Sequence, residues 1–163
     1  PLLDIVLASL HEPVIEPSTK SRHTDAVVKA MASGKIDVFA HGGNPAFPID
    51  VDEVAKAASE YNVLVEINNS SLTTSRPGSE KNCGSLAEAV GRHGARLTFG
   101  SDAHIACNIG RFTECTEFIE NIGFPSDRIL STSCYAFLTF LQERHKENLE
   151  ALFEICNPKT EQL

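Results

Sequence analysis

The chain has 163 residues, with 14 Lys and Arg against 22 Asp and Glu, a formal charge of −8. That surplus of acid argues against a surface built for nucleic acid or an anionic membrane, since either needs a basic stripe to neutralise phosphates. Hydrophobic residues make up 42% and charged residues 22%, an ordinary globular balance. No apolar run reaches the ~20 residues that span a bilayer, and no basic, apolar, small-residue leader marks secretion. The expected location is the cytoplasm. The five cysteines (Cys83, Cys107, Cys115, Cys134, Cys156) form no CxxC pair and are expected to be free, mostly buried thiols.

Short apolar runs alternate with amphipathic segments along the chain. The first run is Asp4–Leu10, followed by a helical stretch over Thr24–Ser33 that Gly34 stops. The second run is Ile36–Ala40. Asp50 and Glu53 then form a D-x-x-E capping box ahead of a helix over Val51–Tyr61. The third run is Val63–Ile67, with a helix over Glu80–His93 capped by Ser79 and closed by Gly94. Leu97–Phe99 is the fourth run, and a helix from Arg111 to Asn121 ends at Gly123 and Pro125. A fifth run, Ile129–Leu130, precedes Ser131 or Ser133 as a cap, a helix over Tyr135–His145 and a last helix over Asn148–Ile155.

The runs recur at about the length of one strand–helix unit, and strands this continuously apolar belong in a parallel sheet covered on both faces. Residues 1–163 read as one domain. The unusual polar residues fall where runs end: His11, His41-Gly42-Gly43, Asn68-Asn69-Ser70-Ser71 and Asp102-Ala103-His104. Carboxyl ends of strands are where α/β proteins build their sites. Three histidines and an aspartate in such places suit zinc, with manganese or iron as alternatives, more than they suit a structural polar cluster. Asp102 and His104 stand two apart in an extended segment and can face one cavity. No Walker-type phosphate loop is present.

The strings LASLHEPV (Leu7–Val14), HGGNP (His41–Pro45), VEINNSS (Val65–Ser71), GSEKNC (Gly78–Cys83) and GSDAH (Gly100–His104) occur in order. Together they resemble the carboxyl-terminal half of the YcdX-like branch of the PHP (polymerase and histidinol phosphatase) family, over about Leu3 to Leu141. The resemblance implies a distorted (β/α)₇ barrel with up to three divalent metals at its carboxyl-terminal face and a metal-dependent phosphoesterase acting on a phosphorylated small molecule. It implies His11 and His41 as ligands sharing one metal, Asp102 as a ligand of a second and His104 of a third. Glu66 and Asn68 match a recurrent string to which no ligand role transfers. Gly42 stands where the family often has Pro, an exchange expected to be nearly silent. The family's opening H-x-H motif is absent.

Five strands cannot close a barrel of seven or eight, and four ligands leave three metals under-coordinated. The chain starts at Pro1, inside an apolar run, as a processed chain or a piece of something longer would. The intact parent is therefore expected to be the enzyme and this chain alone to be inactive, exposing a seam that a second copy or a bound amino-terminal fragment covers. Arg76, in the loop after the third run, is either a phosphate clamp or an exposed surface arginine. Glu66 is either an inward polar residue near the metals or a buried partner for a Lys or Arg. Ser70, Ser71, Thr73 and Thr74 could orient a substrate or simply make a polar loop. Two other readings stay open: a self-contained five-stranded doubly wound, flavodoxin-like binding module, and a metal-dependent amidohydrolase with similar barrel-top ligands.

Overall fold

A computed structural model describes residues 3–12, 14–144 and 146–156. Four parallel strands, β1 (Leu7–Ala8), β2 (Val38–Phe39), β3 (Leu64–Asn68) and β4 (Leu97–Gly100), lie side by side in chain order. The register pairs Leu7 with Val38, Val38 with Leu64 and Val65 with Leu97. A doubly wound sheet reverses its strand order at a switch point; the described strands run without reversal. Among the described residues no helix is long and apolar enough to cross a membrane.

The fifth apolar run makes one parallel bridge, Ile129 to Leu97, and then coils into a 3₁₀ turn over Leu130–Thr132. The reason is local. Where a fifth strand would offer a backbone carbonyl to the Phe99 N–H, the Ser131 hydroxyl accepts it instead at 2.9 Å.

Among the described residues six helices connect and cover the strands: α1 (Lys20–Ala32), α2 (Val51–Glu60), α3 (Ser79–His93), α4 (Thr113–Ile122), α5 (Cys134–Glu143) and α6 (Glu150–Ile155). Helix α1 starts four residues before its predicted start, because Thr19 caps it by accepting the Arg22 N–H. Asp50 caps α2 through the Glu53 N–H, but the reciprocal leg of the predicted box is replaced: the Asp50 N–H donates to the Thr24 hydroxyl, tying α2 to α1. Ser79 is the first residue of α3 rather than its cap. Gly78 holds that place at φ 88°, and the Ser79 hydroxyl donates to the Arg76 carbonyl at 2.6 Å. Of the two proposed caps for α5, Ser133 serves, accepting the Ala136 N–H. His145, the predicted end of that helix, lies outside the described residues.

Because strand side chains alternate, the sheet packs two cores. Phe39, Val65, Ile67 and Leu97 meet Val27, Met31, Val54, Leu86 and Ile119 of α1–α4 on one face. Val38 and Leu64 meet Leu138, Phe140 and Leu141 of α5 on the other. Glu66 and Asn68 continue this second face towards the carboxyl end.

At the amino end, buried Asp37 takes Arg144 Nε at 3.2 Å, Lys146 Nζ at 2.9 Å and the Val6 N–H at 2.8 Å. Arg144 also donates from both terminal nitrogens, to the carbonyls of Gly34, Ile36 and Tyr61. The expectation of five free thiols is corrected at two positions: Cys134 and Cys156 form a disulfide, with Cα atoms 5.8 Å apart. Packing of α6 against α5 brings together residues 22 apart, a spacing that carries no local cue. Cys83 and Cys115 are free and buried, and burial pushes their thiols up to about 11 and about 12, so neither is a nucleophile.

Candidate functional site at the carboxyl end of the sheet

Glu66 sits mid-strand on β3, 7% exposed, and organises the site around its carboxylate. Oε2 accepts the His41 backbone N–H at 2.7 Å and the Asn68 amide at 3.4 Å. Asn68 Oδ1 in turn accepts both the N–H and the hydroxyl of Ser71, at 2.9 and 3.1 Å. The Ser71 hydroxyl also accepts Arg76 Nη1 at 3.0 Å, and the same nitrogen reaches the Ser75 hydroxyl at 2.9 Å and Asp102 Oδ2 at 3.2 Å. One hydrogen-bonded chain thus links the ends of β2, β3 and β4.

Of the alternatives for Glu66, the inward polar residue is the one found; among the described residues it forms no ion pair within 4.0 Å. Burial raises its pKa above the usual carboxylate range. The site needs Gly100 opposite, since a Cβ there would coincide with the Glu66 carboxylate. Arg76 is no exposed surface arginine: its side chain is 16% exposed and paired with Asp102 at 24%.

Among the described residues five non-glycine residues have positive φ, and three of them are His41 (39°), Arg76 (55°) and Asp102 (52°). Left-handed backbone at such residues costs of order 1–2 kcal/mol each and is concentrated where geometry serves a site. His41 is held with its pKa lowered, first by burial and then by the Arg76 cation, so its imidazole is neutral and has a lone pair to offer. Asp102 and His11 also act electrostatically on His41.

All four predicted ligands lie after the carboxyl ends of strands; the side chains of His11 and His41 stand near each other, while His104 meets Asp102 only at its backbone carbonyl. The rings of His11 and His41 stand edge to face with centroids 6.1 Å apart. His104 Nδ1 lies 2.9 Å from the Asp102 carbonyl, which can only accept. In the neutral ring Nδ1 therefore carries the proton, which leaves the lone pair on Nε2. His11 and His104 are exposed. Among the described residues no three His, Cys, Asp or Glu side chains gather into a metal-holding cluster. His23 shows the contrast: fully buried on α1, it accepts the Ser18 N–H at Nε2 and donates from Nδ1 to the Pro48 carbonyl. No lone pair is left on it.

The structure corrects the expectation for Gly42. A Cβ there would stand 2.5 Å from the Phe39 ring and 2.9 Å from Leu86, so a proline cannot enter silently. Sequence reading missed the role of Asn69, whose amide donates to Glu114 at 2.7 Å and whose oxygen accepts the Cys115 N–H, fastening the start of α4 to β3. Its signal was the second asparagine of the Val65–Ser71 string. Also missed was a polar cavity of about 290 Å³ beside Asp102, between the Asn69–Thr74 loop and α4.

No protein-family model matches the chain. Curated relatives do. The chain is 51% identical over 148 residues to a protein of Shewanella frigidimarina, 91% of this chain and 60% of the relative. It is 50% identical over 148 residues to one of Shewanella piezotolerans, 91% and 60%. It is 48% identical over 147 residues to one of Aeromonas salmonicida, 90% and 60%. Each is named "Probable phosphatase". The chain spans about 60% of the length of these relatives.

Proposed function

We propose that the protein is a metal-dependent phosphoesterase of the PHP family, and that this chain supplies the carboxyl-terminal part of its barrel and active site. The observation that carries the reading is the connected set His41, Glu66, Arg76 and Asp102 at one end of a parallel sheet, three of them in left-handed backbone around the buried Glu66. The names of the relatives supply the direction.

The donor set fits hard-to-borderline divalent metals: neutral His41, His104 with Nε2 free, His11 and a carboxylate, with no thiolate among them. These four residues do not complete a coordination shell, so the remaining donors belong to the part of the relatives' length that this chain does not span. When bound, divalent metals would supply Lewis acidity towards phosphoryl oxygens and lower the pKa of water. The other tasks fall to the chain. Among the described residues, every hydrogen bond of the Arg76 side chain runs through Nη1. Nε and Nη2 are left to fork onto two phosphoryl oxygens. Glu66 fixes the backbone of His41, and Gly100 gives the carboxylate room to do so.

The test is elemental analysis with p-nitrophenyl phosphate turnover, on protein expressed from the complete reading frame and on this chain alone. The complete protein should hold the full metal complement and turn over; this chain should not. His41→Ala in the complete protein should lose at least one metal equivalent and most of the activity. Full occupancy with unimpaired turnover in that variant overturns the assignment.

A further inference from the structure

We propose that the polar cavity beside Asp102 is the alcohol subsite of the phosphoesterase proposed above, and that it takes the polyhydroxylated leaving group of a sugar or polyol phosphate. Hydrolysis transfers the phosphoryl group to water. The P–O bond to the alcohol breaks, a P–O bond to the water oxygen forms, and a water proton ends on the released alcohol. The alcohol must therefore sit directly beside the group that holds the phosphate. The cavity meets that demand because Asp102, the partner of Arg76, forms part of its wall.

Its chemistry is unusually uniform. No aliphatic or aromatic side chain lines it, so it offers no apolar wall against which an acyl chain or an aryl ring could be buried. The four hydroxyl-bearing side chains suggested by the loop sequence divide here: Thr73 lines the cavity but donates its hydroxyl to the Asn69 and Ser70 carbonyls. Ser71 is buried and consumed by Asn68 and Arg76. Ser70 and Thr74 line the cavity, joined by Ser101 from the end of β4, and among the described residues none of these three side chains has a hydrogen-bond partner. Each can donate and accept, as a sugar hydroxyl requires.

The charges point the same way. Asp102 faces Arg76, and Glu114 lies 3.6 Å from Arg111, so each carboxylate on the wall has its own cation. Hydrogen bonding to Asn69 keeps the Glu114 carboxyl below its ordinary range, and hence ionised. The wall thus carries no uncompensated cation for a second phosphate or a carboxylate on the substrate, whereas a neutral polyol needs none. The volume of about 290 Å³ lies at the bottom of the ~300–1,000 Å³ range of small-ligand sites. It suits a single small ring or short polyol.

The experiment compares two non-hydrolysable probes of equal charge, a hexitol phosphonate and benzylphosphonate, by calorimetric titration of the metal-loaded protein from the complete reading frame. The hexitol probe should bind about tenfold tighter, the worth of one to two net hydrogen bonds. Ser101→Ala and Thr74→Val should each cut that preference about fivefold. Equal affinity for the two probes, equal weakening of both in the variants, or binding of neither overturns the subsite. Release of inorganic phosphate from a hexitol phosphate or from p-nitrophenyl phosphate in the same preparations reports separately on the phosphoesterase reading. Turnover without the preference sinks the subsite alone, and preference without turnover sinks the phosphoesterase alone.

Discussion

The sheet carries an aspartate–arginine pair at each end, and the two are built for opposite purposes. At the amino end, Asp37 is 1% exposed and receives Arg144, Lys146 and a backbone N–H, while Arg144 also satisfies three carbonyls. Every charge there has a partner, and no residue of the pair has positive φ. At the carboxyl end, Arg76 uses a single nitrogen, both Arg76 and Asp102 sit in left-handed backbone, and a cavity opens beside them. Completed polar networks hold folds together, whereas incomplete ones with strained backbone are ready to receive something else. This division matches the general rule that the amino-terminal face of parallel β/α units serves stability and the carboxyl-terminal face serves chemistry.

The contrast can be broken most forcefully at Asp37. Asp37→Ala leaves Arg144 and Lys146, at 11% and 12% exposure, without their anion. It should cost roughly 3–5 kcal/mol in urea denaturation. A loss below about 1 kcal/mol would show that the amino-end pair is no more structural than a surface ion pair. Next in size is Gly100→Ala, which drives a methyl into the Glu66 carboxylate and should cost about 1–3 kcal/mol. Adding Glu66→Ala should recover part of that loss; strict additivity in the double-mutant cycle would remove the steric explanation.

Glu66→Gln gives a smaller effect with a definite pH signature. Burial raises the pKa of Glu66 in the folded state, so between its unfolded and folded values the native protein binds the extra proton. Stability contributed by the protonated acid is then present below the unfolded value and lost as pH rises through the folded one. The wild type should lose stability across that window and the Gln variant should not, as thermal melts between pH 4 and 8 (about the range around an ordinary Glu) would show. Identical slopes would place the carboxyl in a solvated setting. The smallest stability change is expected at Asp102→Gly. Relief of left-handed strain of order 1–2 kcal/mol offsets loss of a partly exposed ion pair, so the melting curve should hardly move while metal content and p-nitrophenyl phosphate turnover fall. A large destabilisation would make the two pairs alike.

Much of this architecture is legible in the residues. Apolar runs with helical spacers marked β1 to β4; the reason is plainest for β2 and β3, which are buried throughout and so must be apolar on both faces, whereas Leu7 of the edge strand β1 is 55% exposed. Asp50, Gly94 and Gly123 ended or began helices as expected, since a capping oxygen or a left-handed backbone is a local requirement that a single residue type meets. By the same logic His41, Arg76 and Asp102 could be singled out by position.

Other features depend on what the folded chain brings together. Ile129–Leu130 has strand composition, yet Ser131 takes the ladder hydrogen bond and the strand shrinks to one bridge. Cys134 and Cys156 meet only because α6 packs on α5. Glu66 was ambiguous between a site residue and a buried ion partner until the His41 N–H, the Asn68 amide and the absent Cβ of Gly100 surrounded it. The pairing of Arg76 with Asp102, 26 residues apart, follows from the adjacency of β3 and β4. Sequence specifies which groups are present and the local backbone they require. Which groups are neutralised, and which are left with donors to spare, is set by neighbours distant in the chain, because hydrogen bonds and charges act over a few ångströms of space.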